Sequence, residues 1–197
     1  MIFNFNMSFT DDEWKLIILE YLRVWTGISL TTNGSYDIED LKFFDGLLGT
    51  LLKHTEYLLK EYPSFADKEF VDSWKYQGKL YRVIHPHYAF DNDSIEPHTI
   101  MPEVNYHRMV THWTSDYTFT GLLATAKIFD DEEYIILEAD TREHLAFDVN
   151  KFRKVNDAQE PYTQGENEII FPMYKENIKE YCMTIREFIK KKQEGLL

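Results

Sequence analysis

Apolar positions in the first third of the chain recur at helical spacing. Thr10 and Glu13 stand at capping-box spacing, and Trp14, Ile17, Ile18, Tyr21, Leu22 and Trp25 follow as one stripe. The pattern predicts a helix from about Asp11 to Trp25, interrupted by Gly27 and the polar run Thr31-Thr32-Asn33-Gly34-Ser35. A second helix is predicted from near Asp37. Its stripe of Leu41, Phe44, Leu48, Leu51, Leu52 and Leu58 ends before Pro63, whose ring cannot continue a helix. Residues 11–65 therefore read as a helical layer.

From about Gly78 the pattern shortens to β-branched and aromatic runs: Leu80 to Ile84, Met109 to Thr114, Tyr134 to Ala139, Leu145 to Val149, and Glu166 to Phe171. Loops rich in Pro, Asp, Asn or Gly separate them. Between the second and third runs, Leu122, Ala126 and Phe129 suit a short helix within Tyr117 to Lys127, with Gly121 counting against it. Ile178, Tyr181, Cys182, Ile185, Phe188 and Ile189 predict a final amphipathic helix with cations near its C-terminus. The expected architecture is α+β, in one domain spanning residues 1–197: an N-terminal helical layer, a mostly antiparallel sheet and a C-terminal helix.

Composition narrows the function classes. The chain has 197 residues, 44% hydrophobic and 16% aromatic, enough apolar surface to build a core. A formal charge of −13 opposes general attraction to nucleic acid or to anionic membranes, so neither is an expected partner. The single cysteine, Cys182, cannot form an internal disulfide and is expected to pack in the core. Neither a secretory signal nor a membrane span is visible, giving an expected location in the cytoplasm or outside the cell by a route needing no such signal. His85, His87, His98, His107 and His112 form no compact ligand motif, so no metal site is expected. Neither GxxxxGK[ST] nor GxGxxG occurs.

Three separated segments hold the candidate chemistry. Arg82 interrupts a predicted strand with a planar five-donor group suited to phosphate. Thr111-His112-Trp113-Thr114-Ser115-Asp116 ends another strand with hydroxyls that can orient backbone and a carboxylate. In Glu166-Asn167-Glu168-Ile169-Ile170-Phe171-Pro172, strand alternation puts Glu166 and Glu168 on one face roughly 6.6 Å apart.

In this order the segments resemble the ADP-ribosyltransferase superfamily, in particular its arginine, serine/threonine and Glu-x-Glu branch. Tyr81-Arg82 is similar to its Tyr-Arg motif, Trp113-Thr114-Ser115 to its central motif, and Glu166 to Pro172 to its catalytic strand. The similarity spans roughly Trp14 to Pro172, with Tyr21 to Gly27 like the segment before the arginine strand. Val83 stands where many members have glycine, and the central motif lacks a clean Ser-Thr-Ser triplet.

The resemblance implies a split, mostly antiparallel sheet whose cleft, within residues 78–172, binds NAD and transfers ADP-ribose to an acceptor protein of unknown identity, as in a toxin, effector or regulator. It implies that Arg82 holds an NAD phosphate beside Tyr81. Thr114, with Thr111 or Ser115, would support the nicotinamide ribose, and Tyr117 and Phe119 either wall the nicotinamide or pack in the core. Glu168 would stabilise positive character at the anomeric carbon, and Glu166 would orient an arginine acceptor, with Tyr162 on the approach. Two alternatives stay open: a catalytically silent protein-interaction module of the same fold, and an NAD glycohydrolase that uses water as acceptor.

Overall fold

The computed structural model describes residues 10–30, 38–61, 68–84, 111–126, 133–142, 144–155, 167–172 and 177–197. Helix α1 (Asp11–Leu30) begins as its sequence predicts. The Thr10 backbone N–H donates to Glu13 Oε2 at 2.8 Å, while the Glu13 N–H donates to Thr10 Oγ1 at 3.3 Å. The bond from the Thr10 N–H is also the main reason that the Glu13 carboxyl titrates below its ordinary range. The helix runs past Gly27, so that glycine does not end it.

Helices α2 (Ile38–Glu61) and α3 (Lys68–Trp74) complete the helical layer, the latter lying beyond the predicted layer boundary. Trp14, Ile18, Tyr21 and Leu22 of α1 meet Leu48, Leu51 and Leu52 of α2 in one buried cluster. Trp74, fully buried, joins that cluster to the sheet: its ring centroid lies 5.5 Å from Trp14 and 5.7 Å from Phe147.

The strands are β1 (Lys75–Tyr76), β2 (Lys79–Ile84), β3 (Thr111–Thr114), β4 (Glu133–Asp140), β5 (Ala146–Asp148), β6 (Glu168–Phe171) and β7 (Ile178–Thr184). They form one curled sheet in the order β1-β5-β6-β3-β2-β4-β7, with every described neighbour pair antiparallel. Helix α4 (Phe119–Ala126) follows β3, α5 (Val149–Val155) follows β5, and α6 (Ile185–Gln193) follows β7.

Alternation assigns the faces. Leu80, Trp113, Ile135, Leu137, Ala146, Ile169 and Phe171 share one face, and their cluster is built from strand residues. The opposite face carries two helix-covered clusters. Phe147 and Ile170 pack under α1, α2, α3 and α5, while Tyr81, Val83, Tyr134 and Ile136 pack under α4 and α6.

Two expectations are corrected at the C-terminal end. Ile178–Thr184 is a strand, not the first turns of a helix, and pairs with β4 through seven residues. Its apolar residues fit helical spacing, but the edge of β4 supplies backbone partners that a helix could not use. Helix α6 starts only at Ile185, where Thr184 Oγ1 accepts the Glu187 N–H at 3.2 Å. Cys182 is consequently exposed on that edge strand, not in the core. Partial burial and the charges of Glu180 and Glu133 raise its thiol above the usual range, the opposite of an activated nucleophile. A strand does follow Pro172, although the sequence there reads as turning directly to a helix.

Candidate functional site

Register places the three candidate segments on adjacent strands. Tyr81 of β2 pairs with Thr114 of β3, and Thr114 pairs with Glu168 of β6. On the other side of β2, Tyr81 pairs with Glu138 of β4. Glu138, Tyr81, Thr114 and Glu168 thus make one cross-sheet row on the helix-bearing face, with Tyr81 also part of the α4/α6 cluster.

Glu168 is buried at the head of β6 and is held by a residue outside the three motif roles. His112 shares its face, diagonally across β3, and its Nδ1 contacts Glu168 Oε1. His112 Nε2 lies 2.8 Å from the Tyr21 hydroxyl, which reaches in from α1. A proton on Nδ1 satisfies both contacts: the imidazole donates to the carboxylate and accepts from the phenol. Helix α1 is thereby tied to the candidate catalytic carboxylate through one imidazole. The sequence signal was present only as the i, i+2 offset of His112 and Thr114, which puts both on one strand face.

Replacing His112 by alanine should slow any reaction that depends on Glu168 by about tenfold, the value of one hydrogen bond to a charged group. His112→Asn, which keeps a side-chain N–H donor, should recover part of that rate; an asparagine variant as slow as the alanine one would reduce His112 to a packing residue.

Arg82 lies one residue out of step with the row, and alternation sends it from the opposite face, alongside Leu80 and Ile84. Its Nη1 reaches the His112 carbonyl oxygen at 3.3 Å. That contact marks an opening in the sheet. Beyond Tyr81 and Thr114 the β2–β3 ladder stops, whereas β2 stays paired to β4 through Ile84. Continuing the register would set Val83 opposite His112. Instead the Val83 N–H donates to Thr125 Oγ1 of α4 at 2.9 Å, and the His112 carbonyl accepts from Arg82. Two side chains replace the ladder bond, so the opening leaves neither backbone group unsatisfied.

Helix α4 is anchored beside this opening. Asp116 Oδ1 accepts the Thr118 N–H at 2.8 Å, and Thr118 Oγ1 accepts the Gly121 N–H at 3.2 Å. A Cβ at position 121 would come within 2.6 Å of the Asp116 carbonyl oxygen, so the glycine that weakened the helical pattern is what lets the turn close. Thr114 Oγ1 accepts the Asp116 N–H at 3.0 Å, and the Ser115 N–H donates to the Asn167 carbonyl at 3.2 Å. Tyr117 is exposed, its ring 5.7 Å from that of Tyr81, and Phe119 packs in the α4/α6 cluster beneath the Arg186 guanidinium. Thr111 takes its backbone place opposite Phe171. Glu166 and Tyr162 lie outside the described residues.

Glu138 is the second carboxylate in the row, and the sequence did not mark it. Buried on β4, it ion-pairs with Lys79 and with Lys192 of α6. Burial pushes its carboxyl up, but hydrogen bonds and charge from Lys192 and Lys79 outweigh burial, leaving it below the ordinary range. Burial and the adjoining Glu138 charge raise the Tyr81 phenol to about 12, which keeps it a neutral donor near pH 7.

A depressed carboxyl stabilises the fold above its unfolded value, about 4.3, and that contribution is lost as pH falls through the folded value. Urea titrations from pH 7 to pH 3 should show wild type losing stability faster than Glu138→Gln, from an initial advantage on the order of 1–3 kcal/mol. Parallel curves would remove Glu138 from the acid response.

Among the described residues, no group of three or more His, Cys, Asp or Glu side chains is placed to hold a metal, and no helix is long and apolar enough to cross a membrane. No protein-family model matches the chain, and neither a curated protein nor a solved structure matches it.

Proposed function

We propose that the chain cleaves NAD and transfers ADP-ribose to a protein acceptor. The carrying observation is the convergence of the arginine, threonine and glutamate segments on adjacent strands β2, β3 and β6, beside the opening between β2 and β3. In this reading the Glu168 carboxylate stabilises positive charge at the anomeric carbon as the bond to nicotinamide breaks. The bonding pair leaves with nicotinamide, which departs neutral and needs no general acid. The acceptor then bonds to the anomeric carbon and loses its proton.

The placement of Arg82 constrains the pose. Its guanidinium lies at the His112 carbonyl, so a donor phosphate that it holds sits over the strand opening, not over the row itself. His112 and Tyr21 act as positioning residues for Glu168. Glu166 is the proposed guide for an arginine acceptor.

Incubation with NAD labelled in its adenosine part, together with a soluble proteome, tests the reading. Label should appear on protein, with nicotinamide released in equal amount. Free labelled ADP-ribose without protein label would instead assign hydrolysis. Calorimetry showing no NAD binding would favour the silent interaction module, a reading that the opposite-face departure of Arg82 also suits.

A further inference from the structure

A cavity of about 520 Å³ opens beside the C-terminal turns of α2, strand β1 and the turn between β4 and β5. Lys60, Lys75 and Arg142 line it together with His144. Such a concentration of cations is notable in a chain with formal charge −13. We propose that this cavity binds a small organic phosphate, with Lys60, Lys75 and Arg142 neutralising its charge.

Among the described residues, three cations line the cavity against one carboxylate, Glu56, which is itself engaged by the cavity wall. Its Oε1 lies 2.9 Å from His144 Nδ1, and its Oε2 accepts the Leu145 N–H at 3.3 Å. Asp140 Oδ2 pairs with Arg142 through Nε at 2.8 Å and Nη2 at 2.6 Å, which fixes the guanidinium on the turn and meets part of its charge, so Lys60 and Lys75 carry most of the attraction. Lys60 offsets the negative end of α2 in its last turn, and Lys75 stands on short strand β1, so each lysine alone has a local explanation. Their convergence with Arg142 on one concave surface does not follow from either local role.

Size and lining favour an organic phosphate over a bare ion. The volume falls within the range of small-molecule sites, and Leu59 and Leu145 provide apolar wall beside the charged groups. Ammonium and guanidinium groups form short charge-assisted hydrogen bonds to phosphate oxygens. None of these residues belongs to the row containing Glu168, so the proposal does not rest on the transferase reading.

Calorimetry with inorganic pyrophosphate and with adenosine diphosphate tests it. Wild type should bind both saturably, adenosine diphosphate more tightly because Leu59 and Leu145 contact its organic part. The Lys60→Met, Lys75→Met double variant should lose about tenfold or more in affinity for both, whereas Lys154→Met, at an exposed cation outside the cavity, should bind pyrophosphate as wild type does. In unmodified protein, pyrophosphate should shift the ring proton resonances of His144 and leave those of His112 in place, a readout that does not depend on the variant folding. Absence of saturable binding, equal affinity in the double variant, no gain from the nucleoside, or movement of His112 alone would overturn the proposal.

Discussion

The Glu168→Gln variant is expected to lose about 10²- to 10³-fold in the rate of nicotinamide release from NAD, while its thermal unfolding stays close to wild type. Glutamine keeps the shape of the side chain and an oxygen able to accept from His112 Nδ1, so the diagonal contact between β3 and β6 can survive. What it removes is the negative charge. Glu168 is buried, which lowers the local dielectric and makes a fixed charge more effective against positive charge developing at a bound ribose. Nicotinamide release at the wild-type rate would sink the transferase and hydrolase readings together. Loss of NAD binding with no change in the rate of bound substrate would assign Glu168 to recognition.

Trp74→Ala should cost about 3–5 kcal/mol of unfolding free energy, measured as a lower urea midpoint. The indole is fully buried where three elements meet: α1 through Trp14, Phe70 on its own helix, and β5 through Phe147. These contacts come from separate parts of the chain, so neighbouring side chains cannot close over the vacated space without moving a helix or a strand. Trp74→Phe keeps an aromatic ring at that junction and should cost less than about 1.5 kcal/mol. Equal losses in the two variants would show that the indole edge, not the volume, carries the effect. The site should also feel the alanine change, because Tyr21 sits in the same cluster and supports His112.

Legibility varied with the range of the interactions. The α1 stripe and its cap were readable because helical period and capping are local, and the buried face of Trp14, Ile18, Tyr21 and Leu22 matches that stripe. The strand pattern was readable at Leu80 to Ile84 and Tyr134 to Ala139, whose cores lie in β2 and β4. Other short segments were not. Val149–Val155 follows β5 as a helix that was not anticipated, and the predicted strand at Leu145 to Val149 shrinks to Ala146–Asp148. Three residues of alternation do not distinguish a strand end from the first turn of a helix. Ile178–Thr184 failed for the converse reason: its apolar spacing satisfies a helix, but seven backbone pairings with β4 made it a strand.

By itself the sequence determined the helical stripes, the main strands and the order in which arginine, threonine and glutamate segments occur, since each depends on residues close in the chain. Only tertiary structure decided that these segments occupy adjacent strands, that Arg82 leaves the face opposite Glu168, and that His112 and Tyr21 buttress that carboxylate. It likewise set Glu138 against Lys192 and replaced one ladder bond with bonds from Thr125 and Arg82. The physical reason is register: shifting a strand by one residue leaves its local pattern intact but moves every side chain to the other face.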